Sequence, residues 1–304
     1  MLNTSVKIQV PATSANLGPG FDVLGMALDI YNSVEMSLEP SGSMVVESTG
    51  EGSRFLAKNG SKMLVDAAQK VFAAAEFNPG GLRIQQHNRI PLFRGMGSSA
   101  AAIVGGMVAA NALLPKPLPA QTLLCLAAEM EGHPDNVAPA LFGGLVVASQ
   151  SGGGVQHVRI EPPAHLRLVV AVPAFTLPTK KSRSLIPRQV PLGDAVFNLG
   201  QVALLVSALS SGDINMLKYA MEDRLHQPYR MALIPGLDDV FAAARDSGAL
   251  ASTLSGAGPA VVSFVTNNGE GELVGEMMRQ AFGDHGIDCR IIETSIGRRG
   301  ALDS

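Results

Sequence analysis

An α+β chain of two domains, with helices layered on β-sheet, is the fold class this sequence predicts. Three observations carry that expectation. The chain has 304 residues, more than one average domain needs. Apolar residues make up 46% and charged residues 16%, enough to fill a sizeable core and unlike a disordered protein. Strand-like and helix-like stretches interleave along the whole length, and glycines after Ser151, then Pro162 and Pro163, punctuate the middle. The domains are therefore expected at 1–160 and 161–304.

In order, Val6 to Val10 reads as a strand that Pro11 stops. Pro11 to Gly25, PATSANLGPGFDVLG, reads as a structured loop because glycine, proline and small polar residues dominate it. Asn16 and Asp22 are its side chains best suited to a ligand, although Asn and Asp also commonly bond their own turns. Ala27–Leu38 and Met44–Ser48 have strand character. Lys62–Phe77 is a helix, with Leu64, Val65, Ala68, Val71, Phe72 and Ala75 at helical spacing and Pro79 beyond its end. Leu82–Ile90 is a strand leading directly into RGMGSSAAAIVGGMVAAN, Arg94 to Asn111.

That stretch organises the rest. Gly95 and Gly97 permit backbone angles closed to other residues and let a ligand approach the main chain. Ser98 or Ser99 then starts a helix, whose first N–H groups and partial positive charge suit an anion, above all a phosphate. A tight turn into a buried helix is the plain alternative. GMGSSA also fits the loose dinucleotide fingerprint, but the span that should hold a second strand and its acidic residue is alanines, Pro115, Pro117 and Pro119. The Walker pattern is absent.

Thr122–Met130 is a helix, followed by EGHPDNVAPALFGGL, in which Glu131, His133, Asp135 and Asn136 cluster before the strand Leu145–Ala148. One acidic residue here plus a serine hydroxyl from the glycine loop would suffice for Mg²⁺, which takes its other ligands from water and phosphate. A solvated helix end is the alternative, and zinc is disfavoured because no second His or Cys stands at ligand spacing. Ser151–Val155, SGGGV, is flexible in composition. In the second half, Leu166–Val172 is a strand, and Thr179, Lys180, Lys181, Arg183 and Arg188 form a basic cluster in a loop, with a solvated linker as the alternative. Ala195–Leu209, Ile214–Arg224 and Asp238–Arg245 are helices, with HQPYR, His226 to Arg230, between the last two. LSGAGPAVVSF, Leu254 to Phe264, places Gly256 and Gly258 in a tight turn between strands. Glu270–Phe282 is a helix and Ile287–Ile296 the final strand, so this half fits helices on one antiparallel sheet.

Composition excludes several classes. The net charge of −3 offers no basic field to nucleic acid or anionic membrane, and the absence of tryptophan argues against base-stacking platforms. Cys125 and Cys289 are too few for a disulfide or zinc framework. The N-terminal stretch lacks a leader pattern, and the longest apolar run, Ala100–Leu114, is interrupted and falls short of the roughly 20 residues a bilayer needs. A cytoplasmic protein is expected.

Taken together the segments resemble the GHMP kinase superfamily, and within it the homoserine kinases, over nearly the whole chain. Pro11–Gly25 is similar to the family's substrate loop. Pro91–Ala102, PLFRGMGSSAAA, is similar to its phosphate loop, with Met96 where Leu is usual. LSGAGPAVVSF is similar to its third motif. HPDNVAP (His133–Pro139), PTKKSR (Pro178–Arg183) and HQPYR carry the narrower likeness.

The resemblance implies a ribosomal protein S5 domain 2-like N-terminal domain and a ferredoxin-like C-terminal domain. It implies transfer of the γ-phosphate of ATP to the side-chain hydroxyl of L-homoserine, giving O-phospho-L-homoserine for threonine synthesis. ATP would lie on Pro91, Arg94, Gly95, Met96, Gly97, Ser98, Ser99, Ala100 and Ala101, with Mg²⁺ on Ser99 and Glu131. Arg183 and Arg230 would suit the substrate carboxylate, Asp22 and Asp135 its ammonium, and Asn16, His133 and Asn136 its hydroxyl, with Gly256 alongside. Asn16, Asp135 and Asn136 are the candidates closest to the chemistry. Some relatives hold a catalytic aspartate where Asp135 stands, whereas the homoserine kinase pattern implies a substrate ligand there. Mevalonate or sugar kinases of the superfamily, and a non-catalytic relative, are the competing readings. A homodimer is left open.

Overall fold

The computed structural model describes residues 4–39, 42–266 and 269–304; residues 1–3, at the start of the stretch read as lacking a leader, lie outside it. The first sheet holds β1 (Ser5–Ala15), β2 (Leu24–Glu39), β3 (Met44–Gly50), β4 (Gly81–Asn88), β5 (Leu145–Ser151) and β6 (Gly154–Ile160) in the order β3-β4-β2-β5-β6, with β1 also paired to β2. Only β3 and β4 run parallel among these pairs. Pro11 does not end β1. It sits at a register shift where Pro11 faces Tyr31 and Ala12 faces Leu28, a bulge that accommodates the missing N–H. The loop expected from Pro11 therefore begins only at Asn16. Ser151–Val155, expected to be flexible, holds the two-residue turn of the β5–β6 hairpin.

The helices of this half are α1 (Ser53–Phe55), α2 (Ser61–Ala74), α3 (Ser98–Leu113), α4 (Ala120–Glu131) and α5 (Pro134–Phe142). A single turn of π-helix, Leu56–Gly60, joins α1 to α2. α3 is buried on nearly every side, which explains its all-round apolar and small composition. A Cβ at Gly106 would lie 2.3 Å from the Leu64 carbonyl, so the close approach of α2 to α3 needs glycine there. α5 was not foreseen. Pro134 in its first turn favours it, and Pro139 lies inside it without preventing it.

The second sheet, β7 (Arg167–Pro173), β8 (Ala251–Leu254), β9 (Val261–Val265) and β10 (Cys289–Ser295), is antiparallel in the order β10-β7-β9-β8. Its helices are α6 (Thr179–Arg183), α7 (Leu192–Ser211), α8 (Leu217–Ala220), α9 (Gln227–Arg230), α10 (Leu237–Asp246) and α11 (Glu270–Asp284). The strand period of two divides its sides: Leu168, Val170 and Val172 join the core of the first sheet, whereas Val169 and Ala171 join a second core with Val240 and Val274 of α10 and α11. The basic cluster around Arg183 is a short helix rather than a loop. The helix expected over Ile214–Arg224 ends at Ala220. By length and composition alone α7 is long and apolar enough to cross a bilayer, with 20 residues and a mean hydropathy of 1.5. Its buried Asn198, and Asp194 paired with Arg224, tie it to the folded domain. The last residues return to the first sheet, where Gly297 bonds Ala27 and Gly144.

Candidate active site

The N-terminus of α3 opens onto a cleft of about 420 Å³ between the two halves, within the usual size range of a ligand site. Gly97 precedes the helix at φ +67°, and no side chain caps the helix. Its first N–H groups thus remain available to an anion. A Cβ at Gly97 would stand 1.9 Å from Thr13 Oγ1, so β1 and the loop approach too closely for any other residue. The loop is fixed from both sides: Thr13 N–H donates to the Met96 carbonyl at 3.2 Å, and Ser255 Oγ donates to the Gly95 carbonyl at 2.7 Å.

Not every residue expected on this loop faces the cleft. Arg94 is turned away. Its guanidinium donates to the carbonyls of Leu92, Pro173 and Ala174, which commits those N–H groups away from a phosphate. Burial lowers its pKa below the usual arginine range. The side chains of Met96, Ala100 and Ala101 pack into the core, so only their main chain could contribute. Pro91 lines a neighbouring groove instead. Gly95, Gly97, Ser98 and Ser99 line the cleft.

Beside the loop, Ser99 Oγ donates to Glu131 Oε2 at 2.7 Å. Glu131 is at the end of α4. Burial raises its pKa, against the lowering effects of the Ser99 hydrogen bond and His133. Among the described residues no arginine or lysine pairs with it. A half-buried carboxylate without a cation, next to a hydroxyl and a helix N-terminus, fits an oxygen-seeking divalent ion.

Three titratable groups converge next to the cleft. Atoms of Asp22, His133 and Asp135 lie within 4.8 Å of one another. His133 Nδ1 is 2.5 Å from Asp135 Oδ1. Burial pulls the His133 pKa down, but the hydrogen bond and charge of Asp135, with Glu131, raise it overall. Asn136 accepts from Thr13 Oγ1 at 2.8 Å and donates to Asp135 at 3.3 Å. Its place at the start of α5 follows from the helix begun at Pro134.

The two arginines close the other side. Arg183 on α6 forms a two-pronged pair with Asp22, at 2.7 and 2.6 Å. This hydrogen bond is the main cause of its raised pKa. Arg230 is fully buried, and burial, then the charge of Arg183, lowers its pKa to about 10. Its Nη1 donates to the Gly256 carbonyl at 2.9 Å, and Asn16 Nδ2 donates to the same oxygen at 2.9 Å. Arg230 Nε is, among the described residues, a buried polar side-chain atom with no partner. Asn16 also accepts from Asp22 N–H at 3.1 Å, so the loop-bracing alternative and the cleft-lining one are both realised in that residue.

Sequence reasoning missed several groups. Phe21 lies between the arginines, 5.3 Å from Arg183 and 5.4 Å from Arg230 at ring centroid, a cation–π arrangement. A lone aromatic in a loop of small residues was the available signal. Phe55, Leu56, Met63, Leu92 and Phe93 form an apolar end of the cleft, with Phe55 and Phe93 edge to face at 5.0 Å. Nothing in their spacing marks them, because they come from three separate segments.

The split sheet, the uncapped helix and the mixed-charge cleft define a small-molecule kinase of GHMP type. The models for the GHMP kinases N terminal domain and the GHMP kinases C terminal region match residues 62–144 and 205–284. The homoserine kinase of Moorella thermoacetica is 48% identical over 97% of this chain and 98% of its own. The crystal structure of homoserine kinase from Cytophaga hutchinsonii superimposes with a TM-score of 0.89 at 32% identity, covering 99% of this chain and 97% of that one. L. major mevalonate kinase, in complex with R-mevalonate, shares the fold at a TM-score of 0.77 and 17% identity, covering 99% of this chain and 100% of that one. The chain belongs to the homoserine kinase family.

Proposed function

We propose that the cleft binds ATP and L-homoserine end to end, and that the chain moves the γ-phosphate of the first to the side-chain hydroxyl of the second. The products are ADP and O-phospho-L-homoserine, as the family membership establishes for the reaction class. One observation carries the assignment of roles. Two arginines and a carboxylate–imidazole cluster, a complement to a zwitterion, share a cleft with an uncapped helix N-terminus, a complement to a triphosphate.

The main chain of Gly95–Ser99 would take the phosphates. The apolar end around Phe55 and Phe93 would take the adenine. Ser99 and Glu131 would hold Mg²⁺, which when bound neutralises charge on the β- and γ-phosphates. Arg230, with Arg183, would bind the substrate carboxylate, and Asp22 and Asp135 its ammonium. Asn16, His133 and Asn136 would orient the hydroxyl.

The new bond joins the homoserine oxygen to the γ-phosphorus as the bond to the β–γ bridging oxygen breaks. The hydroxyl proton passes to the transferred phosphate. Positioning and electrostatics suffice for a loose transition state, so no strong base is required. In this account Asp135 is a ligand rather than a base. We place the domain division at 1–160 and 161–304. A cytoplasmic setting accords with Cys125 and Cys289, both free.

ATP consumption measured with L-homoserine, L-threonine, mevalonate, a sugar and no acceptor tests the function. Turnover is expected with L-homoserine far above the others. Equal turnover with mevalonate, which has no ammonium, would reject the zwitterion site.

A further inference from the structure

His226 precedes the arginine of HQPYR by one helical turn and is completely buried. The mechanism above gives it no part. Both its ring nitrogens are nevertheless committed. Nε2 is 2.7 Å from the Gly18 carbonyl, and Nδ1 is 3.0 Å from Arg230 Nη1. A carbonyl only accepts and a guanidinium only donates, so one tautomer satisfies both: neutral imidazole, protonated on Nε2. The ring also stacks on Phe21 at 5.2 Å.

These contacts close a ring of hydrogen bonds. Arg230 donates to the Gly256 carbonyl, which also accepts from Asn16. Asn16 begins the loop whose Gly18 carbonyl returns to His226. A second tie runs in parallel: Asn198 on α7 donates to the Pro19 carbonyl at 3.2 Å and to Asp223 at 2.8 Å. Asp223 in turn accepts the backbone N–H groups of Leu225, His226 and Gln227 at the start of α9. The groups charged or chargeable around the imidazole are thus Asp223, Arg230 and, more distantly, Asp22.

We propose that His226 is a positioning residue for the amino-acid site: as a neutral acceptor it fixes the direction of the Arg230 guanidinium and couples it to the Gly18 segment of the substrate loop. This rests on Arg230 binding the substrate carboxylate. With Nη1 held by His226 and Gly256, the still unpartnered Nε and the remaining nitrogen are the donors left for a ligand. An arginine of undirected fork would lose the two-point fit to a carboxylate.

The experiment uses the full chain with steady-state kinetics for both substrates. His226→Phe keeps the stack on Phe21 but removes both hydrogen bonds. His226→Asn puts a carbonyl oxygen near the Nδ1 position and restores the acceptor. The expected result is a KM for homoserine raised about tenfold in His226→Phe, with the KM for ATP within twofold of wild type. His226→Asn should recover most of that loss. Arg230→Lys, run alongside, tests the underlying reading. If it raises the homoserine KM and His226→Phe does not, the positioning role is overturned and the carboxylate role of Arg230 stands. If Arg230→Lys leaves the homoserine KM unchanged, the carboxylate reading itself fails. Equal losses for both substrates with a lowered Tm, not rescued by Asn, would make His226 merely structural and overturn the proposal.

Discussion

In the proposed assignment the two ends of the cleft recognise charge by different means. At the phosphate end the binding groups would be main-chain amides, set by Gly97 and a helix that no side chain caps. At the amino-acid end they would be side chains from four separate segments, Asp22, Asp135, Arg183 and Arg230, braced by the main-chain carbonyl of the Gly256 turn. The first depends on local backbone shape and can be written in one short stretch. The second depends on tertiary assembly and exists only when both sheets are in place.

That contrast can be broken most severely at Gly97. Gly97→Ala forces a Cβ against Thr13 at a backbone angle that L side chains rarely adopt. Turnover is expected to fall about a hundredfold or more, with ATP affinity lost and homoserine affinity kept. Calorimetric titration with each ligand checks this, and parallel loss of both affinities would mean the two ends are not separate. At the other end, Asp135→Asn is expected to raise the KM for homoserine by about tenfold or more while kcat stays within about threefold. A collapse of kcat at unchanged KM would make Asp135 the base.

Glu131→Gln sits between the two ends. It is expected to raise the Mg²⁺ concentration for half-maximal turnover about tenfold, without lowering Tm. Full turnover of this variant at limiting Mg²⁺ would remove Glu131 from the metal.

The last effect is on stability. The folded pKa of His226 is about 4, below the ordinary 6.5, chiefly through burial. The unfolded chain therefore binds the proton first. His226's contribution is complete above pH 6.5 and is lost as pH falls toward 4, at up to about 1.4 kcal/mol per unit. His133, with its raised pKa, works oppositely and contributes stability that is lost as pH rises past its folded value. Urea midpoints of wild type and His226→Asn at pH 7.5 and 5 isolate the first effect, and identical slopes for the two proteins would contradict it.

The same contrast explains what the sequence disclosed. The strand-to-helix position of Gly95–Ser99 was legible, because glycines before a small-residue run specify local geometry. Asn16, Glu131, Asp135, Arg183 and Arg230 were legible through motif resemblance, and the cleft gathers all of them. Arg94 differs from that expectation because its neighbours in sequence face the cleft while its guanidinium bonds the Leu92 carbonyl and, at the end of β7, those of Pro173 and Ala174. Pro11 was misjudged because a bulge, invisible in one strand alone, absorbed it. Phe55, Phe93 and Phe21 carry no pattern of their own, and their meaning comes from residues distant in the chain.

Asp22 and Arg183 already neutralise one another at the mouth of the cleft. On the proposed assignment an arriving zwitterion would exchange ionic partners with them, and the local sum of charge would be zero before and after. Such a swap disturbs few mobile ions, so homoserine affinity should vary little with ionic strength, whereas the polyanion at the far end carries the salt dependence. A hydroxy acid or an amino alcohol supplies only half of the exchange and strands one member of the pair. On that assignment, discrimination against such analogues would be held in a bond the protein makes with itself.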